Sequence, residues 1–229
     1  MKPAIAIIAA VLVIGGIYLF YPGAATETFQ EASEQTVREG STQVSEGTYE
    51  VVPAESKVNW AGKKPLLEGY VNSGSIAVAS GTIVVANGEA SGEFAIDMDT
   101  LSVSSTPTKP GQESSLEGHL KGERWFNVAA YPTTSFKITS VEKQADSDTT
   151  FVYDVTGDLT LKGETHEISF PALIYQDAEG ALHAEASFEI NRTTWGITSG
   201  SASFFDDVAD NAIDDMVALS FALTAKKAN

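Results

Sequence analysis

The side chains able to do chemistry are few and scattered. Three histidines, His119, His166 and His183, fall on separate stretches without the i, i+4 spacing that puts two imidazoles on one helical face, so no His-rich metal centre is expected. The densest titratable group is the run FFDDVADNAIDD, which holds Asp206, Asp207, Asp210, Asp214 and Asp215. It lacks the register and the glycine of an EF-hand loop, leaving an irregular calcium loop or a solvated turn between the last two strands. There is no cysteine, which removes thiolate nucleophiles, disulfides and CxxC zinc sites together. No GxSxG elbow, HExxH helix or P-loop lysine motif is present, and no carboxylate pair is singled out by spacing. The expectation is a protein with no catalytic residues, no metal and no cofactor.

The elements around these residues say more. Among 229 residues, 31 Asp and Glu stand against 14 Lys and Arg, a formal charge of −17. Such a field repels a phosphate backbone, so nucleic acid is excluded as a partner. Residues 4–21 (AIAIIAAVLVIGGIYLFY) form an uncharged apolar run of 18 with only Lys2 before it, long enough to cross a bilayer core as a helix. That places the N-terminus inside and the rest across the membrane, with 1–25 as a signal anchor or a cleaved signal peptide. Residues 26–47 read as a flexible linker carrying Glu27, Glu31, Glu34, Glu39 and Glu46 against the single Arg38. The domain proper spans 48–229 and is expected to be extracytoplasmic.

From residue 48 onward the hydrophobic period is two, which indicates an all-β domain. Phe94, Ile96 and Met98 share one face of a strand over 93–98. Over 151–161, Tyr153, Val155, Leu159 and Leu161 alternate with polar residues, as do Ile168, Phe170, Ala172 and Ile174 over 166–174. The stretches 182–190 and 217–223 behave likewise, while 49–52, 56–61, 76–79, 82–85 and 135–141 are shorter strand candidates. Lys162-Gly163 marks a hairpin turn, so neighbours are expected to be antiparallel. Eight to ten strands must close into a barrel or split into a sandwich, and pattern alone does not choose. Residues 101–131 break the pattern and read as a Ser/Thr/Pro loop with a short helical segment, a natural lid for a barrel mouth.

Three segments carry a family resemblance: LEGHLKGERWFNVAAYPTTSFKITSV at 116–141, Gly157-Asp158-Leu159-Thr160-Leu161-Lys162-Gly163, and INRTTWGI at 190–197. In this order and spacing they resemble the YceI-like family of polyisoprenoid-binding proteins, over roughly 48–227. The resemblance implies an extended antiparallel β-barrel of about eight strands, lipocalin-like, whose lumen takes a long isoprenoid or similar lipid, and it implies no catalysis. Two departures stand out: Glu117-Gly118 where the family commonly has Arg-Asp, and Thr194-Trp195 where it commonly has Asp-Phe. If those charges hold a head group, this chain takes a different head group or none.

The inward-facing large side chains are the candidate lumen wall: Trp60, Phe94, Ile96, Phe136, Ile138, Tyr153, Phe170, Phe188 and Phe221. Each could equally be plain core. By family position His119 is the polar candidate, pairing with Arg192 or a ligand head, or else pinning the helical segment. Trp125 and Trp195 either gate a mouth or pack under loops. The leading reading is a membrane-tethered carrier or store for a polyisoprenoid, isoprenoid quinone or fatty-acid derivative. A structural or adhesive β domain with a filled core, and a carboxylate-pair hydrolase, stand as alternatives, and a homodimer is left open.

Overall fold

The computed structural model describes residues 42–144, 151–205 and 211–228. The apolar run 4–21, residues 26–41 of the linker, and Asp206, Asp207 and Asp210 lie outside these. Among the described residues no helix is long and apolar enough to cross a membrane.

Among the described residues nine strands and one α-helix follow in the order β1 (Gly47–Val51), β2 (Lys57–Lys63), β3 (Val71–Ala86), β4 (Glu89–Ser105), α1 (Glu113–Lys121), β5 (Thr133–Lys143), β6 (Val152–Leu161), β7 (Glu164–Gln176), β8 (Leu182–Asn191) and β9 (Met216–Lys227). All pairings are antiparallel, in the spatial order β1-β3-β2-β9-β8-β7-β6-β5-β4, and β3 also pairs with β4. That last pairing closes the sheet, so the choice between sandwich and barrel falls to the barrel.

Nine strands make an eight-place ring because β1 and β2 share one place. β1 pairs with the 225–227 end of β9, and β2 continues along the same strand at 218–222. The break between them is a 3-10 turn, Pro53–Glu55, where proline has no N–H to give the ladder. Ser56 repairs the gap: its Oγ donates to the Val52 carbonyl at 2.8 Å and accepts from the Thr224 N–H at 3.1 Å.

Two places where the sequence pattern stops are strands that change face. The stretches 76–79 and 82–85 belong to one strand, β3, with register irregularities around Val78 and Ser80. The bulge turns the side-chain alternation over by one residue, so Ile76 and Val78 share the inside with Ile83 and Val85. β4 likewise runs on past Met98 to Ser105, and Leu101 and Val103 are strand residues rather than loop. Thr100 stands in for the missing ladder bond, its Oγ1 accepting from the Ala77 N–H at 2.8 Å and donating to the Asp97 carbonyl at 2.6 Å. Tight turns need left-handed residues, and Asn87-Gly88 (φ 55° and 80°) and Lys162-Gly163 (φ 52° and 81°) supply them.

Strand alternation puts the β3–β4, β5–β6 and β7–β8 connections at one end of the barrel. The β2–β3, β4–β5, β6–β7 and β8–β9 connections lie at the other. Helix α1 is in the β4–β5 connection. Its Leu120 joins Met98, Leu101, Leu161, Ile190 and Trp195 in the largest buried cluster, and Glu117 ties it to β4 by accepting the Val103 N–H at 3.4 Å. The helix therefore plugs that end. The short helical segment expected within 101–131 is thus present, and it covers the barrel end opposite the cavity opening, held by Leu120, its one buried residue.

Candidate functional site

A cavity of about 300 Å³ occupies the other half of the barrel. Its wall comes from inward positions on every strand place. Gln43, Glu46, Gly88 and Glu89, which line it at the β3–β4 end, are exposed, so the cavity opens to solvent there.

Eight of the nine lumen candidates line this one cavity: Phe94, Ile96, Phe136, Ile138, Tyr153, Phe170, Phe188 and Phe221. Five of them form a belt of rings. Phe94 stacks on Phe136 at 6.5 Å between centroids, Phe136 meets Phe170 at 5.6 Å, and Phe170 lies parallel to Phe188 at 4.2 Å. Phe221 stands edge-on to Phe170 at 5.8 Å and to Phe188 at 6.4 Å. Cross-strand pairing sets this up, since Phe94 is directly opposite Phe136. β6 has Gly157 at the level of the belt, where a Cβ would come within 2.5 Å of both the Phe136 ring and the Lys137 carbonyl. The missing side chain is the seat of the Phe136 ring.

The ninth candidate, Trp60, is placed outside the cavity. It packs against the cluster at the plugged end, and its Nε1 donates to the Ser102 carbonyl at 3.2 Å. Trp125, Arg192 and Trp195 are also at that end. Arg192 is buried and donates to the carbonyls of Ile197, Ser199, Ile213 and Asp214 at 2.6–3.2 Å and to Asp215 Oδ1 at 3.3 Å. Burial lowers its pKa, and the charges of Asp215 and Asp214 push back. Its guanidinium is 5.3 Å from the Trp125 ring centre, and Trp195 Nε1 donates to the Leu159 carbonyl at 3.1 Å. These side chains pin the β8–β9 connection across the barrel end. His119 joins none of this. It is exposed on α1, its ring makes no hydrogen bond among the described residues, and Arg192 does not reach it.

The sequence reading missed the small and aliphatic part of the wall, including Val78, Val141, Ala172 and Ala184, and it missed Gln43, Val44 and Glu46 altogether. Alternation signals the first group; for the second, inside an acidic polar stretch, Val44 is the only signal.

The wall is chemically quiet. Its ionisable groups are the exposed Glu46 and Glu89 at the rim and the half-buried Tyr153, whose hydroxyl burial pushes above the usual tyrosine range and so keeps neutral. Lys143, directly across from Tyr153 on β5, is an exposed cation on the same rim. On the outer wall, Asp177 Oδ2, His183 and Thr224 Oγ1 form a chain with contacts of 2.8 and 3.3 Å. Burial raises the Asp177 pKa, but the His183 hydrogen bond and the Ala181 N–H outweigh it and leave it lowered. The Thr224 end of this chain is 8% exposed, so the arrangement braces β8 against β9 rather than presenting a nucleophile. Among the described residues no group of three His, Cys, Asp or Glu is placed to hold a metal ion. What the cavity can do is shelter an apolar chain.

Closed antiparallel strands around a mainly apolar cavity open at one end make a hollow barrel with room for a small ligand. The family model described as YceI-like domain matches residues 49–225, and the chain belongs to the YceI-like family. It is similar to Protein YceI of Escherichia coli O157:H7, with 34% identity over 91 residues, 39% of this chain and 44% of that one. It is similar also to Protein YceI of Salmonella arizonae, with 33% identity over 105 residues, 44% and 51% of the two chains. The chain thus matches about half the length of these curated relatives. Two solved structures share the fold. BcnA of Burkholderia cenocepacia has a TM-score of 0.58 and 21% identity over 77% of this chain and 99% of that one. A polyisoprenoid binding domain from Saccharophagus degradans, implicated in plant cell wall breakdown, has a TM-score of 0.59 and 15% identity over 80% and 100%.

Proposed function

We propose that the protein binds one long-chain apolar lipid in the barrel cavity, either a polyisoprenoid, an isoprenoid quinone or a fatty-acid derivative. It acts as a carrier or store on the extracytoplasmic side of a membrane, and residues 1–25 hold it there. The observation that carries the reading is the cavity, lined mainly by apolar side chains, open at one end and crossed by the phenylalanine belt. Each buried CH₂ is worth about 0.8 kcal/mol, so a dry cavity holds a hydrocarbon chain without a code of hydrogen bonds. The tail goes to the belt and the head stays at the rim, because the ionisable groups of the wall, Glu46, Glu89 and Tyr153, are gathered there. The reading is one of binding rather than catalysis, in keeping with the quiet wall and with the polyisoprenoid-binding relative.

Mass spectrometry of an organic extract tests it, on residues 42–229 purified from the native cells without detergent. One long-chain lipid near one per protein is expected. An empty protein that takes up neither added polyprenol nor quinone refutes the reading and leaves a structural β domain.

A further inference from the structure

We propose that residues 42–46 form a gate over part of the cavity mouth, latched by the side chain of Gln176, and that its opening widens the mouth and sets the rate at which lipid enters and leaves; this rests on the lipid-binding reading above.

These residues precede β1 and lie outside every strand ladder, yet Gln43, Val44 and Glu46 form part of the cavity wall. Their attachments sit on separate edges of the opening. On the β7 side, Thr42 and Gln176 form one isolated antiparallel bridge, with N–H to carbonyl distances of 2.9 and 3.0 Å. At the other end the Asn87 N–H of the β3–β4 turn donates to Glu46 Oε1 at 2.9 Å, and Lys227 Nζ donates to the Glu46 carbonyl at 2.8 Å. Between these points Val44 is half-buried against the cluster of Tyr49, Val51 and Leu223.

One side chain joins the pieces. Gln176, 8% exposed, accepts the Ser45 N–H on its Oε1 at 3.2 Å. Its Nε2 donates to the Tyr49 hydroxyl at 3.1 Å and to the Gly180 carbonyl at 2.8 Å. The Tyr49 hydroxyl in turn donates to the Ser45 carbonyl at 2.8 Å. A buried amide with its acceptor and both donors used holds one conformation, because moving it strands polar groups away from water.

The strand ends that form the rest of the described rim cannot open so readily. The paired ends of β3–β4, β5–β6 and β7–β8 belong to the closed ladder, and displacing any of them breaks a series of strand pairings. Residues 42–46 are held by a handful of bonds and one valine, so their local opening lies far below global unfolding in cost. They are also the part of the wall next in sequence to the N-terminal segment, so any pull on that segment is delivered to the gate.

The absence of cysteine gives a clean test. Opposed residues of a hydrogen-bonded antiparallel pair have Cα atoms about 5.5 Å apart, inside the range a disulfide spans, so the full-length Thr42→Cys/Gln176→Cys variant can lock the gate with a single bond. The full chain, held in an amphipathic polymer, is loaded with diphenylhexatriene. Release is then followed as energy transfer to a dye in excess phosphatidylcholine vesicles. Uptake is scored against Ala184→Phe, which fills the cavity. The expected result is release at least tenfold slower in the oxidised double variant than in the same protein reduced. Gln176→Ala, with native uptake, and Val44→Gly, which removes the gate's apolar foot without touching β7, are each expected to release at least threefold faster than native. Equal release from the oxidised and reduced forms, with uptake above that of Ala184→Phe, overturns the gate alone. Uptake no greater than that of Ala184→Phe overturns the lipid-binding reading and the gate with it.

Discussion

Phe170→Ala tests whether the belt is a packed floor or a loose lining. Phe170 is 4% exposed and meets Phe188 at 4.2 Å, Phe136 at 5.6 Å and Phe221 at 5.8 Å, so it is the ring on which the others converge. Removing a phenylalanine from a packed core costs about 3–5 kcal/mol. Here part of the ring already faces the cavity, so fewer contacts are lost, and the expected cost is about 3 kcal/mol. For a domain of this size that is a fall in Tm of about 6–12 °C. Phe94 supplies the internal control, because it is only half-buried and touches the belt at the single 6.5 Å stack with Phe136. Phe94→Ala should cost about 1.5 kcal/mol. Urea unfolding of the three ligand-free proteins measures both values, with the m-value showing whether the transition stays two-state. A loss below about 1.5 kcal/mol for Phe170→Ala, or one no larger than for Phe94→Ala, refutes the belt as a packed floor.

Three further outcomes follow from single positions. Thr134 Oγ1 is buried without a hydrogen-bond partner among the described residues; an unmade bond of this kind costs about 1–3 kcal/mol, so Thr134→Val should raise stability by about 1 kcal/mol in urea unfolding, and a loss there would contradict the assignment. Gly157→Ala drives a Cβ to 2.5 Å from the Lys137 carbonyl, which as backbone cannot swing aside, and should cost about 2–3 kcal/mol by the same assay; a neutral result would show that β5 and β6 can part there. Burial first, then the charges of Glu185 and Asp177, push the Tyr175 pKa up from 10.0 to about 12. The unfolded chain ionises near 10 while the fold resists, so this contribution is intact below pH 10 and is lost as the pH rises toward 12. Tyr175→Phe should flatten the fall in urea stability between pH 10 and 12, and an unchanged slope refutes it.

What could be read from the sequence follows from where alternation is unbroken. On β6 to β9 the inward series Tyr153, Val155, Leu159, then Phe170 and Ala172, then Ala184 and Phe188, then Leu219 and Phe221 keeps strict period two, and these residues line the cavity. On β3 and β4 a bulge shifts the period by an odd number of residues. The pattern therefore ends at Met98 although the strand does not, and one strand reads as two. Trp60 has the inward parity of its neighbours but lies nearer the plugged end, and parity carries no information about depth along the barrel. Residues 43–46 join the wall through Val44 and one distant glutamine, a long-range contact with no local period. The end at which α1 packs is a matter of connection parity, while which end stays open depends on what the connections bring with them.

An eight-strand barrel can be filled by its own side chains, and the reason this one is hollow is a gradient in side-chain size along its axis. At the plugged end the inward positions and the connections supply Trp60, Met98, Leu161, Ile190 and Trp195, and the β8–β9 connection is fastened by Arg192. The middle is occupied by the five phenylalanines. Above the phenylalanines the same strands present Val78, Val155, Ala172 and Ala184, below the larger rim residues Tyr153, Leu182 and Leu223, and the β3–β4 connection is the two-residue turn Asn87-Gly88, too short to fold back over the lumen. Small inward residues beneath a short turn leave volume that no side chain of the described residues fills. A domain selected only for a filled core gains by enlarging Ala172 and Ala184, since an unfilled cavity forgoes the contacts of its lining on the empty side. Keeping alanine there is costly to the empty protein and favourable only when something else fills the space. The small wall residues Ala172 and Ala184 therefore support the proposed reading, in which a bound chain completes the packing.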